Sequence, residues 1–319
     1  MEFAQVQGVF KQAGKGFASN LNLLLGIQAA ITGADAALKS YLEECQQPNA
    51  DGQIKADIAS AIATARVLHL VDPSSRKLCE ELQGSHEPAT DPFPSPLPGD
   101  PTWEVDPTDP SRSLHRTSDE QDKSPESFTV MLARRYFGEV WEAVIYNPVQ
   151  DELVFAVKDQ GAWMSIHGKE LIRLKVSNHS DPKRIRAFKS RSNPDSGLEQ
   201  FLREEGISSL LHVPGVGGKA VEIACGGVDW ESVCARQDLG EAYLRRGGDL
   251  YITSERKRCD VAAAALILEE AGGNATTHDG KRLIDLLQDR RVKQVDSLLL
   301  SNSMYHNQAL ELCNQRMVH

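Results

Sequence analysis

The chain has no uninterrupted apolar run long enough to cross a bilayer. Its first residues, MEFAQVQGVFKQAGKG, lack the basic segment and apolar stretch of a secretory leader. The expectation is a cytoplasmic protein with no membrane partner. Surplus positive charge is missing too. Asp and Glu total 45 against 35 Lys and Arg, a net charge of −10, which argues against a nucleic-acid partner because such binding neutralises phosphates with a basic patch. The 6 cysteines (Cys45, Cys79, Cys225, Cys234, Cys259, Cys313) show no CxxC spacing, so neither a disulfide framework nor a zinc site is expected, and reduced thiols are the simpler reading. Internal repeats are also lacking.

What is present is an ordinary globular composition, 40% hydrophobic and 25% charged over 319 residues. That is enough chain for a substantial core in one large domain or two intimate ones. Ala, Leu and Gln dominate from Phe10 to Cys45, and a second helical run spans Ile54 to Leu70. A short helix is expected from Ser75 to Leu82, and the Pro, Asp, Ser and Thr of 85–127 read as one long loop. A strand from Phe128, a turn at Gly138 and the segment ELVFAVKDQGAWMS predict an antiparallel meander. Beyond Arg184 the pattern mixes strand and helix. Its clearest helix runs from Asp260 to Ala271 and closes on Gly272-Gly273.

Two segments carry chemistry. In Trp103-Glu104-Val105-Asp106-Pro107-Thr108-Asp109-Pro110-Ser111, two carboxylates three residues apart on a turn can face one point, joined by the Thr108 carbonyl. Hard divalent cations such as Mg²⁺ take oxygen ligands of this kind. Ser111 would then open a helix, whose free amides suit a phosphate. The alternative is a plain helix start, with Asp109 as N-cap and Pro110 at the first position. In Cys259-Asp260-Val261-Ala262-Ala263-Ala264, Asp260 is either the cap of an Ala-rich helix or a third carboxylate for the same cation.

Together, an Asp-Pro-x-Asp turn and a later Asp-x-Ala-Ala helix ending in Glu-Ala-Gly-Gly resemble the paired signatures of the inositol monophosphatase superfamily. Pro101-Thr102-Trp103, the stretch from Ala143 to Trp163 and the segment LLSNSMYH (Leu299 to His306) add to the resemblance, which covers roughly residues 50 to 315. It implies a layered αβαβα sandwich of the α/β class, with an α+β half over 1–174 and an α/β half over 175–319. It further implies a Mg²⁺-dependent phosphomonoesterase, often homodimeric in this family, acting on a small phosphorylated metabolite.

Carried across by residue, the resemblance makes Asp106, Asp109, Asp260, the Thr108 carbonyl and Glu80 the metal ligands, with Glu87 as fallback for Glu80. Ser111 would orient the attacking water. Arg191 and Lys219 resemble positions near the nucleotide in the 3′(2′),5′-bisphosphate nucleotidase branch and could meet a second phosphate, unless both are solvated surface residues. Three departures stand against this. Pro110 removes a backbone N–H, Cys259 replaces the tryptophan usual before the third aspartate, and Ala63 stands where the family's Asp-x-Val-Thr-x-x-Asp pattern ends in a carboxylate. Four readings follow: an active phosphomonoesterase, a bisphosphate nucleotidase, a weak or inactive member that binds a phosphorylated ligand or a protein, or an unrelated acidic interaction protein. Residues Asp229 to Arg246 read as an insertion without an assigned role.

Overall fold

The structure is a computed structural model that describes residues 1–12, 20–43, 55–79, 101–114, 127–189, 196–289 and 291–317. Its helices are α1 (Phe3–Gln12), α2 (Leu21–Glu43), α3 (Lys55–Val71), α4 (Ser196–Glu204), α5 (Val216–Ala224), α6 (Trp230–Gln237), α7 (Arg258–Glu270), α8 (Leu283–Leu286) and α9 (His306–Met317). The strands are β1 (Arg76–Cys79), β2 (Thr102–Asp109), β3 (Thr129–Tyr136), β4 (Glu139–Asn147), β5 (Glu152–Val157), β6 (Gly161–Ile166), β7 (Ile172–Arg173), β8 (Arg186–Lys189), β9 (Ser209–His212), β10 (Leu250–Lys257), β11 (Asn274–Thr276) and β12 (Gln294–Ser301).

β1 to β7 form one sheet in sequence order, antiparallel except for the parallel β1–β2 pair. The other five strands form a second sheet in the order β11-β12-β10-β8-β9. Period-two alternation sends side chains of each sheet to two different cores. On the first sheet Val130, Leu132, Val144 and Tyr146 face α2 and α3, whereas Met131, Ala133, Ala143 and Ile145 face α5 and α7. On the second sheet Leu298 and Leu300 join that same central core, while Leu299 packs towards α4 and α9. Five layers result, αβαβα, as the resemblance implied. α7 is the middle layer, and every residue from Val261 to Leu268 is buried. A helix apolar on all sides needs two walls, and the two sheets supply them.

Three local expectations change. The helix expected over Ser75 to Leu82 gives way to β1, whose backbone pairs with β2 from Arg76 opposite Thr102 to Cys79 opposite Val105. Pairing with a neighbouring strand overrides a weak local helix preference. Within the segment read as loop, Thr102–Asp109 is a fully buried strand. Trp103 and Val105 face the α2/α3 core, and Pro107 is accommodated where the register with β3 shifts between Asp106 and Asp109. Third, α2 is long and apolar enough by composition to cross a bilayer. Scattered Gln28, Thr32 and Asp35 hide this from a search for unbroken apolar runs. In this fold 61% of its most apolar stretch is buried, against α3 and the first sheet.

α2 and α3 approach closely at Gly33, where a Cβ would lie 2.1 Å from Thr64 Oγ1. The segment read as an insertion forms α6 and a 3₁₀ turn over Glu241–Arg245. Arg246 anchors it, pairing with Glu152 at 2.7 Å and Glu222 at 2.6 Å, its guanidinium 5.3 Å from the Trp230 ring and 5.6 Å from that of Tyr243. All five described cysteines are free thiols.

β2 and α7 are tied together by charge. Buried Glu104 on β2 accepts from Arg135 of β3 at 3.1 Å and from Arg258 of α7 at 2.5 Å through the same oxygen, Oε1. Removing the carboxylate leaves two buried guanidinium groups without it, so Glu104→Ala is expected to lose about 3–5 kcal/mol in urea denaturation. A second effect is read by pH. Burial lowers the pKa of the His306 imidazole, whose Nδ1 meets Ser301 Oγ at 2.7 Å. The folded state therefore favours neutral His306. This contribution is complete above about pH 6.5 and is lost as pH falls through the lowered folded pKa. The acid limb of a denaturation-versus-pH curve is expected to flatten in His306→Gln.

Candidate active site

β2 ends at the site. Thr129 Oγ1 of β3 donates to the Asp109 carbonyl at 3.2 Å, which fixes the last residue of the strand. The Asp109 side chain then reaches the start of α5, where the Gly217 amide donates to Oδ2 at 2.6 Å. α5 has Gly215 at its N-cap position and no side-chain cap of its own. Asp109 is therefore a cap supplied from another strand, satisfying an orphan amide and facing the positive end of the helix dipole. Burial pushes the Asp109 carboxyl up, and the amides of Gly217 and Val216 with the charges of Lys219 and Arg256 pull it back without cancelling that rise.

A cavity of about 350 Å³ opens beside this contact, lined from five elements. Asp109 and Pro110 come from the end of β2, Gly215, Val216 and Lys219 from the start of α5, and Asp260 from the first turn of α7. Tyr251, Glu255, Arg256 and Lys257 of β10 and Gln294 of β12 complete the wall. Lys219 is buried rather than solvated. It donates to the Gly215 carbonyl at 2.7 Å and lies 4.8 Å from the centre of the Tyr251 ring. Arg256 is held by Tyr251 Oη at 3.1 Å and Thr253 Oγ1 at 3.0 Å. Neither Arg256 nor Lys257 was expected from the sequence, although the run ERKRCD just before Asp260 carries a visible cluster of charge.

The expected ligands are placed as follows. Asp109 and Asp260 face the cavity together. Asp106, on β2, does not line the cavity, and its Oδ1 accepts the Thr108 amide at 3.2 Å. The Thr108 carbonyl accepts from Ser111 Oγ at 3.2 Å. Ser111 opens a 3₁₀ turn, Ser111–Leu114, rather than an α-helix. Asp260 is the third residue of α7, with Lys257 in the cap position, so the N-cap alternative does not hold. Glu80, its fallback Glu87 and Arg191 lie outside the described residues. Among the described residues no group of three or more His, Cys, Asp and Glu side chains stands close enough to hold a metal ion. Asp109 and Asp260, the two carboxylates that line the cavity, offer oxygen donors of the kind a hard divalent cation takes.

α3 contacts the same turn from outside the cavity. Asp57 accepts from Thr108 Oγ1 at 2.5 Å, and Ser60 Oγ donates to the Pro107 carbonyl at 2.9 Å. Ala63 is on another, half-buried part of the helix.

Layered αβαβα folds define a class of proteins, and known proteins place this chain within it. The family described as "Inositol monophosphatase family" matches residues 24–317. An inositol-1-monophosphatase of Caulobacter vibrioides is 30% identical over 215 residues, covering 66% of this chain and 70% of that protein. The inositol monophosphatase of Anabaena (Nostoc) sp. PCC 7120 superposes with a TM-score of 0.63 at 20% identity, over 93% of this chain and 97% of that one. The Staphylococcus aureus enzyme SaIMPase-II, bound to inositol monophosphate, gives 0.62 at 19% identity over 95% of both chains. The chain belongs to the inositol monophosphatase family.

Gly215 tests the cap geometry. Its φ is +70°, and a Cβ there would lie 2.4 Å from Asp109 Oδ2. Gly215→Ala is expected to displace Asp109 and lower stability by about 1–3 kcal/mol through the left-handed backbone and the clash. Gly240→Ala, where a Cβ meets nothing within 4 Å, is expected to leave the thermal midpoint unchanged.

Proposed function

We propose that the protein is a Mg²⁺-dependent phosphomonoesterase that hydrolyses a small phosphorylated metabolite. The observation that carries this reading is the meeting of Asp109 and Asp260, far apart in sequence, in one cavity with Lys219, Arg256 and Lys257. Carboxylates can hold a cation there while the basic side chains attract an anionic ester. Asp106, Asp109, Asp260, the Thr108 carbonyl and Glu80 would hold Mg²⁺, which when bound supplies Lewis-acid polarisation and a more acidic water. The chain's own groups do the rest. Lys219 and Arg256 offset phosphate charge, the start of α5 adds its dipole, and Ser111 orients the water that attacks phosphorus as the ester P–O bond breaks.

Two observations favour a second reading, a family member that binds a phosphorylated ligand without turnover. Ala63 supplies no carboxylate, and no three described acidic, His or Cys side chains converge. One assay separates the two. Phosphate release is measured with Mg²⁺ on myo-inositol 1-phosphate, adenosine 3′,5′-bisphosphate and fructose 1,6-bisphosphate, with Asp260→Asn in parallel. Turnover is expected to vanish with a chelator and to fall at least about 100-fold in the variant. The preferred substrate decides between the monophosphatase and nucleotidase branches. No release from any of the three, with ligand-dependent thermal stabilisation retained, would instead support the binder.

A further inference from the structure

Six of the ten large hydrophobic side chains left exposed among the described residues, Leu21, Leu70, Val71, Tyr136, Phe137 and Trp141, gather at one end of the first sheet. The strand pairings place them there. Arg76 at the start of β1 faces Thr102, Thr102 faces Arg135, and Tyr136 opposite Glu139 closes the β3–β4 hairpin. α3 ends at Val71 just before β1, and the next residue, Asp72, accepts from Trp103 Nε1 at 3.3 Å. At the start of α2, Asn20 accepts the Leu23 amide at 3.0 Å, and its own amide donates to Glu142 of β4. Asp109 pairs with Thr129 at the opposite end of β2 and β3, about 20 Å from Arg135 along the strand. The rim is therefore remote from the cavity.

Two backbone irregularities present aromatics here. Phe137 and Gly138 form the hairpin turn with φ of +50° and +83°, a turn whose first position favours Asn, Asp or Gly. The other four non-glycine residues with positive φ are three aspartates and a histidine, types that tolerate this region better than a bulky side chain does. Phe137 is nevertheless there, 70% exposed, with its ring 4.4 Å from that of Tyr136. Four residues along, Trp141 opposes no residue of β3, because Arg134 pairs with Glu142 and Arg135 with Val140. A bulge of this kind re-aims a side chain. Trp141 Nε1 donates to the Tyr136 carbonyl at 3.2 Å, which fixes the ring beside the tip. Neither Phe137 nor Trp141 packs into a core.

We infer that this rim is a contact between two copies of the chain, joined tail to tail with their cavities facing away from each other. At about 150–250 Å² per large side chain, the six leave roughly 550–900 Å² bare at their exposures. The largest apolar patch of an ordinary monomer is about 300–600 Å², and each half of a standard interface is about 800 Å². Charge agrees with a second copy. A two-fold contact sets a surface against itself, so unpaired charge there is repulsive, and the whole chain carries −10. On the hairpin and the turn beside it the charges are paired, Lys158 with Glu139 at 2.6 Å and Arg134 with Glu142 at 3.4 Å. Docking on an anionic lipid surface draws instead on unpaired basic side chains. Trp, Tyr and Phe are also the residues that protein contacts concentrate at their centres.

Sedimentation of the full chain over a concentration series up to about 100 μM reads the pairing. Wild type is expected to approach twice 35.1 kDa. Phe137→Asn puts the favoured Asn-Gly pair in the turn. It is expected to weaken the dimer at least about tenfold, while the thermal midpoint of the dilute monomer holds or rises. Trp141→Ala is expected to weaken the dimer by a similar factor. Met304→Ser, which changes an exposed side chain outside the rim, is expected to leave it unchanged.

A wild type monomeric throughout the series overturns the proposal, and its flotation with zwitterionic vesicles would then assign the rim to a lipid surface. So does a dimer as tight in Phe137→Asn and Trp141→Ala as in wild type, because the copies would then meet through another surface. A lower monomer midpoint in Phe137→Asn overturns it as well, since Phe137 would then be serving the turn. Equal weakening by Met304→Ser would show an effect not local to the rim, with the same consequence. Mass and midpoint are read without substrate, so the outcome is independent of whether the protein hydrolyses a phosphate ester.

Discussion

A single buried carboxylate oxygen, Glu104 Oε1, accepts from Arg135 and Arg258 and thereby sets how β2 meets α7. Charges removed from water must be paired and hydrogen-bonded. Arg258 meets that demand by also donating to the carbonyls of Leu287, Asp289 and Val292. Arg135 likewise donates to Gly138 and Leu287. The cluster thus joins two strands, the start of α7 and the segment after α8. Its reach into the site follows from chain position alone. Glu104 lies two residues before Asp106 and Arg258 two residues before Asp260, so fixing one pair fixes the approach of the other.

Around that fixed frame, each functional group is held by a different element. α5 holds Asp109 through the Gly217 amide, and α3 holds the turn through Asp57 and Ser60. The other buried charges do structural work of the same kind. Asp249 is wholly buried and collects Arg186, Ser177 and Asn302. Although burial alone would raise its pKa, the hydrogen bonds from Ser177 and the Arg186 amide and the Arg186 charge outweigh it and hold the carboxyl low. Arg246 performs the equivalent task for the inserted α6 segment, tying it to Glu222 on α5 and Glu152 on β5. A segment that read as an addition is therefore fastened to the back of the helix that meets Asp109.

Much of this was legible in the residues. The meander β3 to β6, α3, α7, β8 and β9 follow from periodicities that local sequence states openly. Asp109 and Asp260 were named from short motifs, and the cavity contains both. β1 and β2 were not legible. Four residues of β1 become a strand only because β2 lies beside them, and Pro107 disguises β2 as a loop. Arg256 and Lys257 carry no motif of their own, and only the fold of β10 brings them to the cavity. Lys219 had a solvated alternative, until α5 buried it.

The sequence by itself determined the family and the order of layers, because patterning and short motifs are encoded within a few neighbouring residues. Only the tertiary structure decided which oxygen each acidic group faces. Asp109 as a cap for α5, Asp57 as partner of Thr108 and Glu104 as the bridge between two arginines are contacts between residues far apart in the chain. No local pattern records them. They arise from the packing of α3, α5 and α7 around one strand end, where burial leaves each polar group little choice but the partner that folding brings to it.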